Sequence, residues 1–350
     1  MASLIDTSDL TLNEQEALTV SEAVFEKVYS KPVIESAHQV MTGIQMKTQI
    51  PFYGLMGLVG KVSSGCTPNA SAEKVNMTEK YWDPALIDFR LTHCQGDISQ
   101  LFKMWKRSRE AARTWDEVEN AQMAFITDRG VDATMEAILR ISSFGDKLAD
   151  NVADGGAITA GIDPTFFTMI NGIWQQILAS ATIKRYTIDE NVLATEAAQM
   201  ALASDRALQV FRYLYNNIDP RAHVIPGLAY QVTRSLWNNW NDFLEDKSLV
   251  FALQRAEDGS TKASYRGIPI IVRNDWDRNI AAYEDQGATL RYPHRAILTP
   301  VANIPIGTAD EGSMKSLESF YDKVTRQWYF DAAFYLDAKV LEEYLIAVAY

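Results

Sequence analysis

The most regular alternation in the sequence lies between Gln327 and Asp337. Trp328, Phe330, Ala332, Phe334 and Leu336 fall on one face at period two, and Tyr329, Asp331, Ala333, Tyr335 and Asp337 on the other. That spacing predicts a half-buried strand with a bulky inner face. Two further runs alternate. Ile44, Met46, Thr48 and Ile50 oppose Gln45, Lys47 and Gln49, and Ala85, Ile87, Phe89 and Leu91 oppose Leu86, Asp88, Arg90 and Thr92. These two strands are expected to pair with each other as a stalk. A fourth strand is predicted over Tyr265–Arg273, ahead of Asn274-Asp275-Trp276-Asp277, and a short one over Arg221–Gly227.

Helical spacing dominates elsewhere. Residues 97–114 carry Leu101, Phe102, Met104 and Trp105, and residues 116–142 place Ala121, Ala124, Phe125, Val131, Met135, Ile138 and Leu139 at rough helical intervals. Two more helices are expected at 190–218, with a stripe of Leu208, Phe211, Leu214 and Ile218, and at 227–245, with Ala229, Val232, Leu236, Trp240 and Phe243. Aromatic stripes at this spacing read as core. Helices flanking short strands through this stretch predict an α/β unit.

Two segments read as something other than core. Residues 1–40 begin an acidic helical pattern that Ser30-Lys31-Pro32 interrupts, and their low apolar content predicts an arm that packs on a neighbour. Between the runs at 44–50 and 85–92 lies a long stretch with Gly54, Gly57, Gly60, Gly65 and Pro68. Hairpin loops in compact domains run ~2–5 residues, so this stretch is either disordered or bound outside its own domain.

Composition narrows the function. The 350 residues are 47% hydrophobic, enough for one large or two modest cores, and the net charge is −12. An acidic chain does not grip nucleic acid or anionic membranes through a basic surface. The one basic patch is Lys103, Lys106, Arg107, Arg109 and Arg113 on the 97–114 helix, read either as a solvated face or as a surface toward DNA or an acidic neighbour. Cys66 and Cys94 are too few for a disulfide scaffold and read as reduced thiols. Met1–Leu10 has acids and no apolar core, so no signal peptide is expected, and no apolar run approaches the ~20 residues that span a bilayer.

Catalytic signatures are missing from the sequence. Gly54 and Gly60 are separated by five residues and Val62 follows Lys61, so the phosphate-loop pattern and its magnesium-binding hydroxyl are not met. His38, His93, His223 and His294 are scattered, and Cys66 with His93-Cys94 would make a poor ligand set. There is no Gly-x-Ser-x-Gly elbow and no Gly-x-Gly-x-x-Gly turn. No metal, cofactor or catalytic residue is expected.

The order of the pieces over 265–350 carries a resemblance. A Gly267-Ile268-Pro269-Ile270-Ile271-Val272 strand comes first. Ile297-Leu298-Thr299-Pro300 and Asn303-Ile304-Pro305-Ile306-Gly307-Thr308-Ala309-Asp310 follow, then the aromatic strand. Together they resemble the C-terminal part of tailed double-stranded-DNA bacteriophage major capsid proteins of the Hong Kong 97-like fold. The resemblance is looser over 80–180.

That resemblance implies an α+β fold in four parts. They are an N-terminal arm at 1–40, an extended loop (the E-loop) hairpin at 41–94, a peripheral domain with a long spine helix from 95–181 and 314–350, and an axial domain at 182–313. It implies a structural virion protein forming hexamers and pentamers of an icosahedral shell around packaged DNA. The implied partners are other copies of the chain, portal, scaffolding or auxiliary capsid proteins, and non-specific DNA contact, with no membrane. Such a chain resides in the virion, and in host cytoplasm during assembly. Leu55, Met56, Leu58 and Lys61 are then the expected inter-subunit contacts, and the Lys103–Arg113 patch a candidate interior surface. Some members of the family cross-link through a lysine in this loop. Lys61 is the nearest candidate, and no residue context here supports the chemistry. An encapsulin-type shell protein and an enzyme with a dispersed site are the alternatives.

Overall fold

The computed structural model describes residues 37–53, 77–94, 132–247, 254–255, 261–262, 264–309, 318–322 and 327–350. Its strands are β1 (Val40–Met41), β2 (Gln49–Tyr53), β3 (Met77–Tyr81), β4 (Ala85–Cys94), β5 (Lys184–Tyr186), β6 (Leu228–Val232), β7 (Gln254–Arg255), β8 (Thr261–Lys262), β9 (Ser264–Tyr265), β10 (Ile268–Val272), β11 (Ala296–Pro300), β12 (Ile306–Gly307), β13 (Glu318–Asp322), β14 (Gln327–Ala338) and β15 (Ala347–Ala349). Helices are α1 (132–144), α2 (Ile173–Ala179), α3 (Glu196–Met200), α4 (Arg206–Asn217), α5 (Arg234–Asp246) and α6 (Asn274–Tyr283).

Two sheets organise these elements. A five-stranded sheet runs β1-β12-β14-β13, with β4 also paired to β14 over its whole length. A six-stranded mixed sheet runs β5-β15-β11-β6-β10-β9. β14 is the strand expected from its alternation. Ala332, Phe334 and Leu336 are buried and Ala333 is exposed, while the side chains of Trp328 and Phe330 lie outside the described residues. The outer-face Asp337 departs from the pattern and is buried. It accepts the Asp83 backbone N–H at 2.7 Å and pairs with Lys339 at 3.2 Å, which supplies the partners a buried carboxylate needs.

β11 is buried at all five positions. Ile297 faces the core shared with α1, α2, α6 and the five-stranded sheet, whereas Ala296 and Leu298 face the core beneath α4 and α5. A strand covered on both faces reads as a continuous apolar run, as this one does. One core therefore joins both sheets. Ile87, Phe334 and Leu336 from one meet Ile297 and Val348 from the other around Trp174 and Trp276.

Several elements differ from the sequence expectations. The runs at 44–50 and 85–92 do not pair with each other; β2 pairs with β3 and β4 with β14. Ile44 is buried but Met46 is 72% exposed, because the chain turns outward there before the strand starts at Gln49. The helix expected over 190–218 is a short 3-10 turn at Asp189–Val192, then α3, then α4. The helix expected over 227–245 opens with β6, and in place of the strand expected over Arg221–Gly227 there is a 3-10 turn at Pro220–Val224. Tyr265–Arg273 is a hairpin, β9–β10, turning on Arg266 and Gly267 with φ of 53° and 80°. Positive φ at both central residues is the type I′ geometry, which matches the twist of its flanking strands. Of the helix expected over 116–142, the part from 132 is described and is helical, with Ile138 and Leu139 buried as expected.

Between α1 and α2 the chain makes a closed excursion from Gly145 to Gly172. Its ends meet where the Gly172 N–H donates to the Gly145 carbonyl at 2.7 Å. A Cβ on Gly172 would lie 2.7 Å from Gly145 N, and one on Gly145 would lie 2.6 Å from two backbone oxygens. Two backbones in contact leave room only for hydrogen at both positions.

Candidate assembly surface and its anchor

The β2–β3 ribbon leaves the body of the subunit at a fixed root. Trp82 donates its backbone N–H to Thr48 O at 2.8 Å, and its buried ring covers Gly307, where a Cβ would sit 2.8 Å from that ring. Asp83 ties the next residue down twice, through the Asp337 carboxylate described above and through Lys147 at 2.6 Å. Lys80 donates to Val340 O at 2.9 Å, and Lys47 stands 5.0 Å over the Tyr81 ring. Each contact to β12, β14 or the 145–172 excursion fixes the direction in which the ribbon projects.

Leu55, Met56, Leu58 and Lys61 lie outside the described residues, which stop at Tyr53 and resume at Met77. Lys103, Lys106, Arg107, Arg109 and Arg113 also lie outside them, as does Cys66. The structure thus supplies the root of the loop and not its tip. His93 and Cys94 belong to β4, with side chains outside the described set. Among the described residues no group of three His, Cys, Asp or Glu is placed to hold a metal ion, and no helix is long and apolar enough to cross a membrane.

Sequence reasoning missed a buried polar junction centred on Arg273. Its guanidinium reaches both Asp275 oxygens at 2.9 and 2.7 Å, Gln231 Oε1 at 2.5 Å, Ser143 Oγ at 3.3 Å and His38 Nε2 at 3.0 Å, and it lies 4.7 Å over the Trp276 ring. These residues come from the segment before β1, the end of α1, β6 and the start of α6. One fork of donors therefore ties four elements together, which the planar guanidinium does better than a point charge. Burial would raise the Asp275 carboxyl, but Arg273 outweighs it and holds the group below its ordinary range. The sequence signal was an arginine closing an apolar strand with an aspartate two residues on; its other partners are remote.

Two further hubs are structural. His294 accepts from Ser235 Oγ at Nδ1, 2.6 Å away, and donates from Nε2 to Gln199 O at 2.7 Å. The backbone carbonyl fixes that tautomer. The two ring nitrogens tie α5 to α3, and burial lowers the ring's basicity. Arg295, 2% exposed, pairs with buried Glu284 and also donates to the Tyr292 and Arg291 carbonyls at 2.9 and 2.7 Å. Its guanidinium lies 5.2 Å from the Phe144 ring and 5.1 Å from that of Trp174.

No protein-family model matches the sequence, and no curated protein matches it. Solved structures do share the fold. The cyanophage A-1(L) capsid asymmetric unit aligns with a TM-score of 0.54 at 12% identity, covering 94% of this chain and 95% of that one. The Gordonia phage Cozz structure aligns at 0.53 and 13% identity over 93% and 88%. The capsid of an empty GTA particle aligns at 0.51 and 11% identity over 96% of each. The chain has the α+β fold of phage capsid subunits.

Proposed function

We propose that this chain is a bacteriophage major capsid protein, assembling with copies of itself as hexamers and pentamers into the shell around packaged DNA. The observation that supports this most is the match to capsid subunits along nearly the whole of both chains. It works by assembly and carries out no reaction. The β2–β3 ribbon is the base of a loop that lies across the neighbouring subunit, with Leu55, Met56, Leu58 and Lys61 as its contacts. A loop of that length is costly to order alone, and ordering it on a neighbour offsets the cost with buried apolar surface. The Lys103–Arg113 patch faces the packaged DNA. Portal, scaffolding or auxiliary capsid proteins are the remaining partners, and the mature protein resides in the virion. In this reading 1–40 is the arm, 41–94 the extended loop, 95–181 with 314–350 the peripheral domain and 182–313 the axial domain; β15 then joins the axial sheet from the peripheral segment.

Electron microscopy of the overexpressed protein tests the reading. Closed shells or capsomers of five and six are expected, and a small soluble oligomer would overturn it. Replacing Gly57–Ser71 by a short Gly-Ser closure should leave a folded subunit with near-normal helix content that forms no shells.

A further inference from the structure

Residues 37–41 enter the body as a short plug. Ala37 and His38 are 3% and 1% exposed, and β1 adds a parallel strand beside β12. Gln231 Nε2 donates to the Ala37 carbonyl at 2.8 Å. The His38 ring sits between two partners that fix its protonation. Nδ1 lies 3.0 Å from the Ile304 carbonyl oxygen, which only accepts, so Nδ1 carries the proton. Nε2 lies 3.0 Å from Arg273 Nη1, which only donates, so Nε2 presents its lone pair. A second proton would turn an imidazolium N–H toward a guanidinium N–H at that distance.

The surroundings give that proton nowhere to go. Asp275 is the nearby carboxylate, and both its oxygens are occupied by Arg273. Gln231 and Ser143 are neutral, and each already accepts from Arg273. Burial first, and the Arg273 charge second, pull the ring down to a pKa of about 3.

We infer that His38 is a proton-operated latch, seating residues 37–41 while its ring is neutral and releasing them when the ring is protonated. Once released into water the ring titrates near its ordinary ~6.5. The released state therefore binds the extra proton, and acid favours release. Seating weakens ~tenfold for each pH unit below ~6.5, or ~100-fold at pH 4.5. Asp277 titrates in an overlapping window, but its carboxylate accepts the Arg234 N–H at 2.9 Å and does not touch the ring.

Hydrogen exchange on the full-length subunit reads the latch without requiring shells, so the result is separate from the capsid proposal. The reporters are the Ile306 and Thr308 amides, which donate to the Gln39 and Met41 carbonyls of the plug at 2.8 Å. Corrected for intrinsic rates, their protection should fall ~tenfold per pH unit between pH 6 and 4.5 while β11 stays protected. His38→Gln supplies a donor for Ile304 and an acceptor for Arg273 without titrating. It should keep the protection and abolish its pH dependence. A Gln variant with the wild-type slope, or a wild type whose protection ignores pH, overturns the inference. Should the variant not fold, nitrogen NMR of the wild-type ring decides: an imidazolium in a subunit whose Ile306 and Thr308 amides stay protected refutes the latch, and a neutral seated ring at pH 5 upholds it.

Discussion

Arg295→Met should be among the most damaging single substitutions in the six-stranded sheet's surroundings. The arginine is 2% exposed and its partner Glu284 is 8% exposed, so removing the cation leaves a carboxylate buried beside only Arg291, 3.8 Å away. Methionine fills much of the volume between Phe144 and Trp174 but supplies no donor to the Tyr292 and Arg291 carbonyls. Breaking a buried pair on one side costs about 3–5 kcal/mol. Unfolding entropy of ~2.1 cal/mol/K per residue over 350 residues makes that a fall in Tm of about 4–7 °C for one cooperative transition. Calorimetry of the unassembled subunit measures it directly. The reasoning concerns an orphaned charge and not lost contact, so a second substitution discriminates. Glu284→Gln alone should also destabilise, but Arg295→Met with Glu284→Gln should lose less than the two singles together by ~1–3 kcal/mol. Strict additivity of the two, or a single mutant that melts like wild type, would refute it.

Three other outcomes follow from the packing. Phe334→Ala, at a position 2% exposed between the two sheets, should cost ~3–5 kcal/mol and lower the yield of soluble subunit; near-native melting would mean that its inward face is assigned wrongly. Gly172→Ala should lower the Tm or prevent folding, because its Cβ meets backbone atoms that cannot rotate away; a variant melting within a degree of wild type would contradict the close crossing. Burial raises the Asp277 carboxyl to about 6, above its unfolded value of ~3.9, so the folded state holds the extra proton between those values and loses stability as pH rises through them. Asp277→Asn should therefore stabilise by ~1–3 kcal/mol at pH 7.5 and by little at pH 3.5, as read from urea titrations at both values.

What the sequence disclosed depended on how locally each signal was written. β14 was legible because its bulky apolar residues recur at every second position over ten residues, with Ala332, Phe334 and Leu336 buried and Ala333 exposed, and nothing but a strand produces that alternation. β6 was hidden for the opposite reason. Ala229, Tyr230, Gln231 and Val232 are all buried, so the strand has no polar face, and its apolar positions run in phase with those of α5 just beyond. The break between α3 and α4 was invisible because Asn191, Gln199 and Glu190 satisfy it through side chains to Leu290, His294 and Ala203, partners outside any local window. The Arg273 junction collects residues 38, 143, 231, 273 and 275, and no reading of neighbours in sequence assembles that set. The loop root was anticipated as a pair of strands, and their pairing was misassigned because alternation specifies faces and not partners.

The order of strands in the six-stranded sheet also sets a clock. Among the described residues β5 pairs in the sheet only with β15, yet about 160 residues separate the two in the chain. At ~5–20 residues per second on the ribosome, β5 waits roughly ten to thirty seconds for its neighbour to be made. β11 is made late in that interval, beside β6, and for the last ~47 residues, roughly two to nine seconds, it presents an open edge where β15 will dock. An unpaired apolar edge is a template for any passing strand. A nascent chain is therefore exposed to mispairing at this edge, and the docking of Ala347, Val348 and Ala349 closes it.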